Sequence, residues 1–331
     1  MFKLLVLTAA LHLACGAEAQ STLSVSKDVS PILESTSTLV TVPILVRDGS
    51  GEFFRDMTAD QLVLLDNGIG QKISLDKTNN DPISLVILMQ TGGMSDRQFK
   101  NYLSLPTLLT RITGNSIHEI TLVTFDSRIE EVWHFPIRSE GVNHALTHPL
   151  AGDQGAAILD AISFGVGQLQ HESGRYRRIV LLFSQSADSG SKISPQEAIK
   201  QLGEGSTTVY SLTFPLPGPK RKVKPTKPYE PNMSQPMTPL DVALLAMIDH
   251  TAEELSFLSG GEHLDFSSKR DLDTKLLNLA DDIHNSYTVA FQPNRREPGF
   301  HKLNIRCSKE HSRLEVTGRS SYWFDATKEM Q

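Results

Sequence analysis

Two short runs of this sequence are apolar at nearly every position, Ile83–Met89 and Ile179–Phe183, and Thr207–Phe214 reads as a third central strand. A strand with one face in water alternates apolar and polar residues, so unbroken runs of this length fit strands covered on both faces. Between them the apolar residues take helical spacing. Ser95–Ile112 carries Phe99, Leu103, Leu105, Leu108, Leu109 and Ile112 in this way, with Pro106 expected to kink or interrupt the helix. Ala156–Gln170 places Ile158, Leu159, Ile162, Val166 and Leu169 on one side, and Pro195 opens a helix over Gln196–Leu202. Leu240–Leu258 and Lys269–Ile283 add two more, while Ile117–Phe125 and Ile129–Phe135 flank a hairpin turn, Asp126-Ser127-Arg128. Strands alternating with helices predict an α/β domain over residues 79–285, built on a doubly wound, mostly parallel sheet.

On both sides of that domain the hydrophobic period drops to two. Residues 37–78 contain a strand ending at Asp48, the turn Asp48-Gly49-Ser50-Gly51, a capped turn at Met57–Leu62, and Leu62–Asp66 followed by Asn67-Gly68. Residues 286–324 contain Tyr287–Phe291, Leu303–Cys307 and Leu314–Trp323 as strands. Because both ends are β-rich and chain termini often lie close together, the two segments are expected to pack as one small β module. Residues 215–239 interrupt the α/β pattern with prolines and with Lys220, Arg221, Lys222, Lys224 and Lys227, which predicts an extended inserted loop.

The N-terminus has its own signature. Lys3 precedes the apolar run Leu4–Ala14, and Ala17-Glu18-Ala19 supplies small residues for cleavage, so residues 1–19 read as a signal peptide and residues 20–36 as a tether. Export to the periplasm, the surface or the medium is expected, with lipidation at Cys15 as an alternative. No other run nears the roughly 18 apolar residues of a membrane span. Cleavage leaves Cys307 as the one cysteine, in an alternating segment that suits a buried small apolar side chain. A net charge of -6 and a pI near 6.0 argue against nucleic acid or an anionic membrane as the main target.

Catalytic patterns are missing. The histidines are scattered, and the one pair at helical spacing, His144 and His148, lacks the Glu of a zinc-protease helix and precedes Pro149. Ser184-Gln185-Ser186 has no flanking glycine for a nucleophile elbow, and Gly92-Gly93 and Gly260-Gly261 lack the Lys of a phosphate loop. Asp126, Asp160 and Asp188 fall near the carboxyl ends of strands, where open α/β sheets bind ligands, but Asp126 sits in a turn and Asp160 inside a helix. Binding without a cofactor is expected, and catalysis is not.

Taken in order, several segments resemble the bacterial von Willebrand factor A-related proteins of acidobacterial type, over residues 38 to 324. Val42–Asp48, Met57–Gly68 and Gln71-Lys72-Ile73 look like that family's leading module. Gly155–Ile162 and Arg177–Ser184 look like its A domain, and Tyr287–Phe291, Gly299–Leu303 and Gly318–Trp323 like its closing segment. In metal-binding A domains a first loop reads Asp-x-Ser-x-Ser, a second supplies Thr and a third supplies Asp, hard oxygen donors that suit Mg²⁺. The resemblance places Gln90, Gly92 and Met94 at the first three positions, Ala156 at the fourth and Gln185 at the fifth. It therefore implies a degenerate metal site and metal-independent binding of a protein partner through a rim of Gln90–Ser95, Asp153–Ala156 and Ser184–Asp188. A structural envelope scaffold is the alternative, and a metal-dependent domain with ligands shifted to Ser95, Asp96 and Asp188 a remote one.

Overall fold

The computed structural model describes residues 39–77, 81–114, 119–136, 140–170, 176–216, 229–231 and 234–326. The expected signal peptide, Cys15, the tether and the basic stretch Lys220–Lys227 lie outside the described residues. In chain order the elements are β1 (Val40–Arg47), β2 (Leu62–Asp66), β3 (Ile69–Gly70), β4 (Ile73–Lys77), β5 (Ile83–Gln90), α1 (Leu105–Thr113), β6 (Glu119–Phe125) and β7 (Ile129–Pro136). There follow α2 (Glu140–Thr147), α3 (Ile158–Gln170), β8 (Arg177–Ser184), α4 (Pro195–Glu204), β9 (Thr208–Thr213), α5 (Pro239–Ala246), α6 (Thr251–Ser259), β10 (His263–Asp265) and α7 (Lys269–His284). Strands β11 (Tyr287–Phe291), β12 (Gly299–Cys307), β13 (Glu315–Gly318) and β14 (Ser321–Phe324) close the chain. No helix among the described residues is long and apolar enough to cross a membrane.

The apolar runs become the centre of a six-stranded sheet ordered β10-β9-β8-β5-β6-β7, parallel except for the β6–β7 hairpin. Every residue of β5 and β9 is buried, because helices cover both faces. Leu85, Ile87 and Met89 join one apolar layer with α1 and α7; Val86 and Leu88 join the other with α3, α4 and α6. The doubly wound α/β fold is thus present in the chain's own topology.

The β module forms from both ends. One sheet runs β13-β1-β11-β4 and the other β14-β12-β2-β3, so each mixes strands from before and after the α/β body. Val40, Val42, Ile44 and Val46 alternate inward from β1 and share one core with Leu64, Val289, Phe291, Leu303, Tyr322 and Phe324. Asn67 (φ 47°) and Gly68 (φ 83°) make the left-handed turn between β2 and β3, where glycine carries no steric cost. Cys307 is half-buried at its edge, and burial pushes its thiol up.

Three elements differ from their sequence reading. Pro106 lies in the first turn of α1, where its missing N–H has no helical partner to lose, and Ser95–Asn101 forms a separate 3-10 turn. Leu240–Leu258 divides into α5 and α6, because Thr251 turns its hydroxyl to the Met247 carbonyl while accepting the Asp188 N–H. Leu314–Trp323 is two strands in two sheets: β13 pairs with β1, β14 pairs with β12, and Arg319 lies buried between them.

Candidate functional site

The carboxyl edge of the parallel sheet is where β5, β8 and β9 release their loops. β5 ends on Gln90, which is wholly buried. Its Oε1 accepts the Gln185 N–H at 2.8 Å, and its Nε2 donates to the Gly92 carbonyl at 3.1 Å and to Gln185 Oε1 at 3.4 Å. Gln185, at the end of β8, donates its own Nε2 to the Ala187 carbonyl at 2.8 Å. Two amides therefore stitch the loops of β5 and β8 together directly.

The segment leading into α3 closes over the loop after β5. Gly93 N–H donates to Asp153 O at 2.6 Å, and Gly152 N–H donates to Thr91 O at 2.9 Å. A Cβ at Gly92 would stand 2.2 Å from Gly155 O and 2.7 Å from Asp126 Cβ, so the backbones meet at a distance only glycine allows. Asp126 binds the segment from below, accepting Asp153 N–H on Oδ2 at 2.9 Å and Arg128 N–H on Oδ1 at 3.1 Å. Asp153 accepts from the Ser127 hydroxyl and from Gly155 and Ser127 N–H, and these bonds hold its carboxyl below the usual range.

Gln90, Gly92 and Gln185 thus come together, with Gly93, Gln154 and Gly155 beside them. Ala156 contributes only backbone, exchanging hydrogen bonds with Ser189 at 3.0 and 2.8 Å. Met94 is half-buried, and Ser95 is buried with its hydroxyl unpartnered. Asp188 turns away: Oδ1 accepts Leu159 N–H at 3.1 Å at the start of α3 and the Ser191 hydroxyl at 2.5 Å, while burial pushes its carboxyl up. Asp96 is exposed and caps Arg97 N–H, and Asp160 accepts Lys192 and Ile193 N–H.

The divalent cation that the resemblance raises requires anionic or hydroxyl oxygens around an open position. Here both end groups are amides already committed to each other, and no side chain fits at Gly92. These residues do not fit the cation.

What the sequence reading passed over is the exposed apolar surface of this edge. Leu150 is 73% exposed just before Gly152, and Leu216 is 44% exposed just after β9. Met237, just before α5, and Val242 within it are 48% and 56% exposed, and Leu244 of α5 and the following Met247 line one small cavity with Asp188. Leu150 belongs to no periodic segment, so no pattern marked it; its neighbour Pro149 was the one available signal.

Fold and edge together define a doubly wound α/β domain joined to a β sandwich made from both chain ends. No family model matches the sequence, and no curated protein matches it. Among solved structures the chain is similar to a von Willebrand factor type A protein from Catenulispora acidiphila, at 9% identity over 89% of this chain and 76% of the other, TM-score 0.42. It is also similar to the conserved hypothetical protein BatB from Bacteroides thetaiotaomicron, at 14% identity over 61% and 98%, TM-score 0.39. An aerotolerance-related membrane protein from Bacteroides fragilis is similar at 12% identity over 60% and 98%, TM-score 0.39.

Proposed function

We propose that this chain is an exported, non-catalytic module that binds a protein partner through the carboxyl edge of its parallel sheet, without a bridging divalent cation. The observation that carries this reading is the exposure of Leu150, Leu216, Met237 and Val242 along that edge. Large apolar side chains left exposed in segments that follow or flank the rim loops favour protein contact over water. The Gln90–Gln185 stitch supports the cation-free part, since it ties the loops without an ion and keeps them shaped for a partner.

The test is capture from envelope extract by the purified chain, with and without EDTA, beside a Leu150→Asp, Val242→Asp double variant. A partner retained in EDTA and lost by the variant is expected. Capture abolished by EDTA, or unchanged in the double variant, overturns the reading.

A further inference from the structure

On the outer strand of the sheet, at the carboxyl ends of β9 and β10, the two strands lie parallel with His263 opposite Ser211 and Asp265 opposite Thr213. Residues two apart on a strand face the same way, so His263, Asp265, Ser211 and Thr213 share one face. His263 Nε2 stands 3.3 Å from Asp265 Oδ1 and 3.4 Å from Thr213 Oγ1, and the Thr213 hydroxyl donates to that same carboxylate oxygen. One imidazole nitrogen and two oxygens therefore form a tight triangle. Donors on one face of a metal ion, at bonds of about 2.0–2.2 Å, stand about 3 Å apart, so the two His263 sides fit as they stand and the Thr213–Asp265 hydrogen bond would have to open.

The surroundings match what a ligating histidine needs. Its second ring nitrogen requires a fixed partner. His263 Nδ1 lies 2.9 Å from Ser211 Oγ, itself buried and held by the Ser256 hydroxyl at 2.8 Å. Asp265 is 80% exposed and His263 18%, so water reaches the triangle from the open edge of β10. Lys275 contacts the Asp265 carbonyl, and its charge is met by Asp271 at 3.2 Å. Among the described residues no three His, Cys, Asp or Glu side chains gather at one point; here the Thr213 hydroxyl supplies the third donor.

We propose that Thr213, His263 and Asp265 form a binding site for a divalent transition-metal ion, such as Zn²⁺ or Mn²⁺, with water in the remaining positions. Mixed imidazole and oxygen donors select such ions over Mg²⁺ and Ca²⁺. In the bound form Nε2 would hold the ion, Nδ1 would face Ser211 Oγ, and the ion would replace the contacts within the triangle.

The experiment is titration of the purified, metal-free chain with Co²⁺, followed by visible absorption and competed with Zn²⁺. A saturable band at one equivalent is expected, absent in His263→Gln and in Asp265→Asn. Ser211→Ala should weaken it by about 10- to 100-fold while leaving the band shape, as loss of a supporting partner does. Asp265 is exposed, so its variant keeps the fold, which circular dichroism checks. No saturable band in the unaltered chain, or a band surviving in both His263→Gln and Asp265→Asn, overturns the proposal. Repeating the partner capture with His263→Gln separates this site from the rim: loss there would tie the ion to binding, and retention would leave the rim reading intact.

Discussion

His301 is held between two acceptors. Its Nδ1 lies 2.8 Å from Asp66 Oδ1 and its Nε2 2.6 Å from the Glu297 carbonyl, so a proton on each nitrogen satisfies both. The Tyr322 hydroxyl donates to Asp66 Oδ2 at 2.8 Å, and both Asp66 and His301 are only 3% exposed. Burial alone would lower the imidazole pKa, but the hydrogen bonds to Asp66 and Glu297 and their charges outweigh it and raise it. A group whose folded pKa lies above its free value of about 6.5 stabilises fully below that value and loses the contribution as pH rises through the folded pKa. The melting temperature should therefore decline from about pH 6.5 upward, and His301→Gln should flatten that slope in a calorimetric pH series. An identical slope in the variant would remove His301 as the cause. Gly92 is the second test at this scale. Spacing could place Gln90, Gly92 and Gln185 as a set, but it could not show that two amides reach each other or that Gly155 fills the space above Gly92. Gly92→Ser restores a hydroxyl to the ligand position and still should gain nothing from Mg²⁺, because its Cβ meets Gly155 O. Binding at 100 times the dissociation constant would add about 2.7 kcal/mol, so a visible Mg²⁺-dependent shift in melting would contradict the closed loop.

Among the elements, the segment between β13 and β14 does the joining. Arg319 is 2% exposed and donates to Ser321 O at 2.6 Å and to Leu202 and Gly203 O at 3.2 and 2.9 Å, capping the carboxyl end of α4 with a positive charge. No carboxylate pairs with it in these bonds, and burial lowers its pKa to about 10. Gly260 (φ 81°) ends α6 against the same point, where a Cβ would meet Arg319 N at 2.5 Å. An alternating run gives no sign that a strand will leave one sheet for another, which is why Leu314–Trp323 read as one element. Pro106 likewise marked a helix start that looked like a helix fault, whereas β5 and β8 were legible because their nearly unbroken apolar runs fit burial on both faces. Arg319→Met leaves the Leu202 and Gly203 carbonyls without their donor and should cost on the order of 1–3 kcal/mol in urea unfolding. Arg319→Lys should recover only part of this, since an ammonium lacks the fork that spans three carbonyls. Full stability in the methionine variant would mean that α4 finds another cap.

In the whole molecule the α/β body sits between two crossings of the chain into the sandwich, and the crossing after α7 is tied. β4 reaches β5 within a few residues, and α7 reaches β11 through Asn285 and Ser286. Arg47 of β1 pairs with Asp282 of α7 at 2.5 Å. Arg177, at the start of β8, donates to Ile283 O at 2.8 Å and to the Ser286 hydroxyl at 2.9 Å, fixing the end of α7 where the chain enters β11. Arg319 makes the third tie, from the sandwich to α4. That the two β-rich ends belong together followed from their position around an α/β middle; the three arginines that lock them did not, because each acts on carbonyls or a carboxylate far away in sequence. With ties at α4 and α7, the sandwich cannot lose its packing without uncapping α4 and freeing Asp282 of α7. Heating should therefore give one calorimetric transition in which the van't Hoff and calorimetric enthalpies agree. Residues 79–285 made alone would lack Arg47 and Arg319 and should melt lower than the intact chain. Two separated transitions in the intact chain, or an isolated α/β segment as stable as the whole, would show instead that the sandwich and the α/β body fold as independent units.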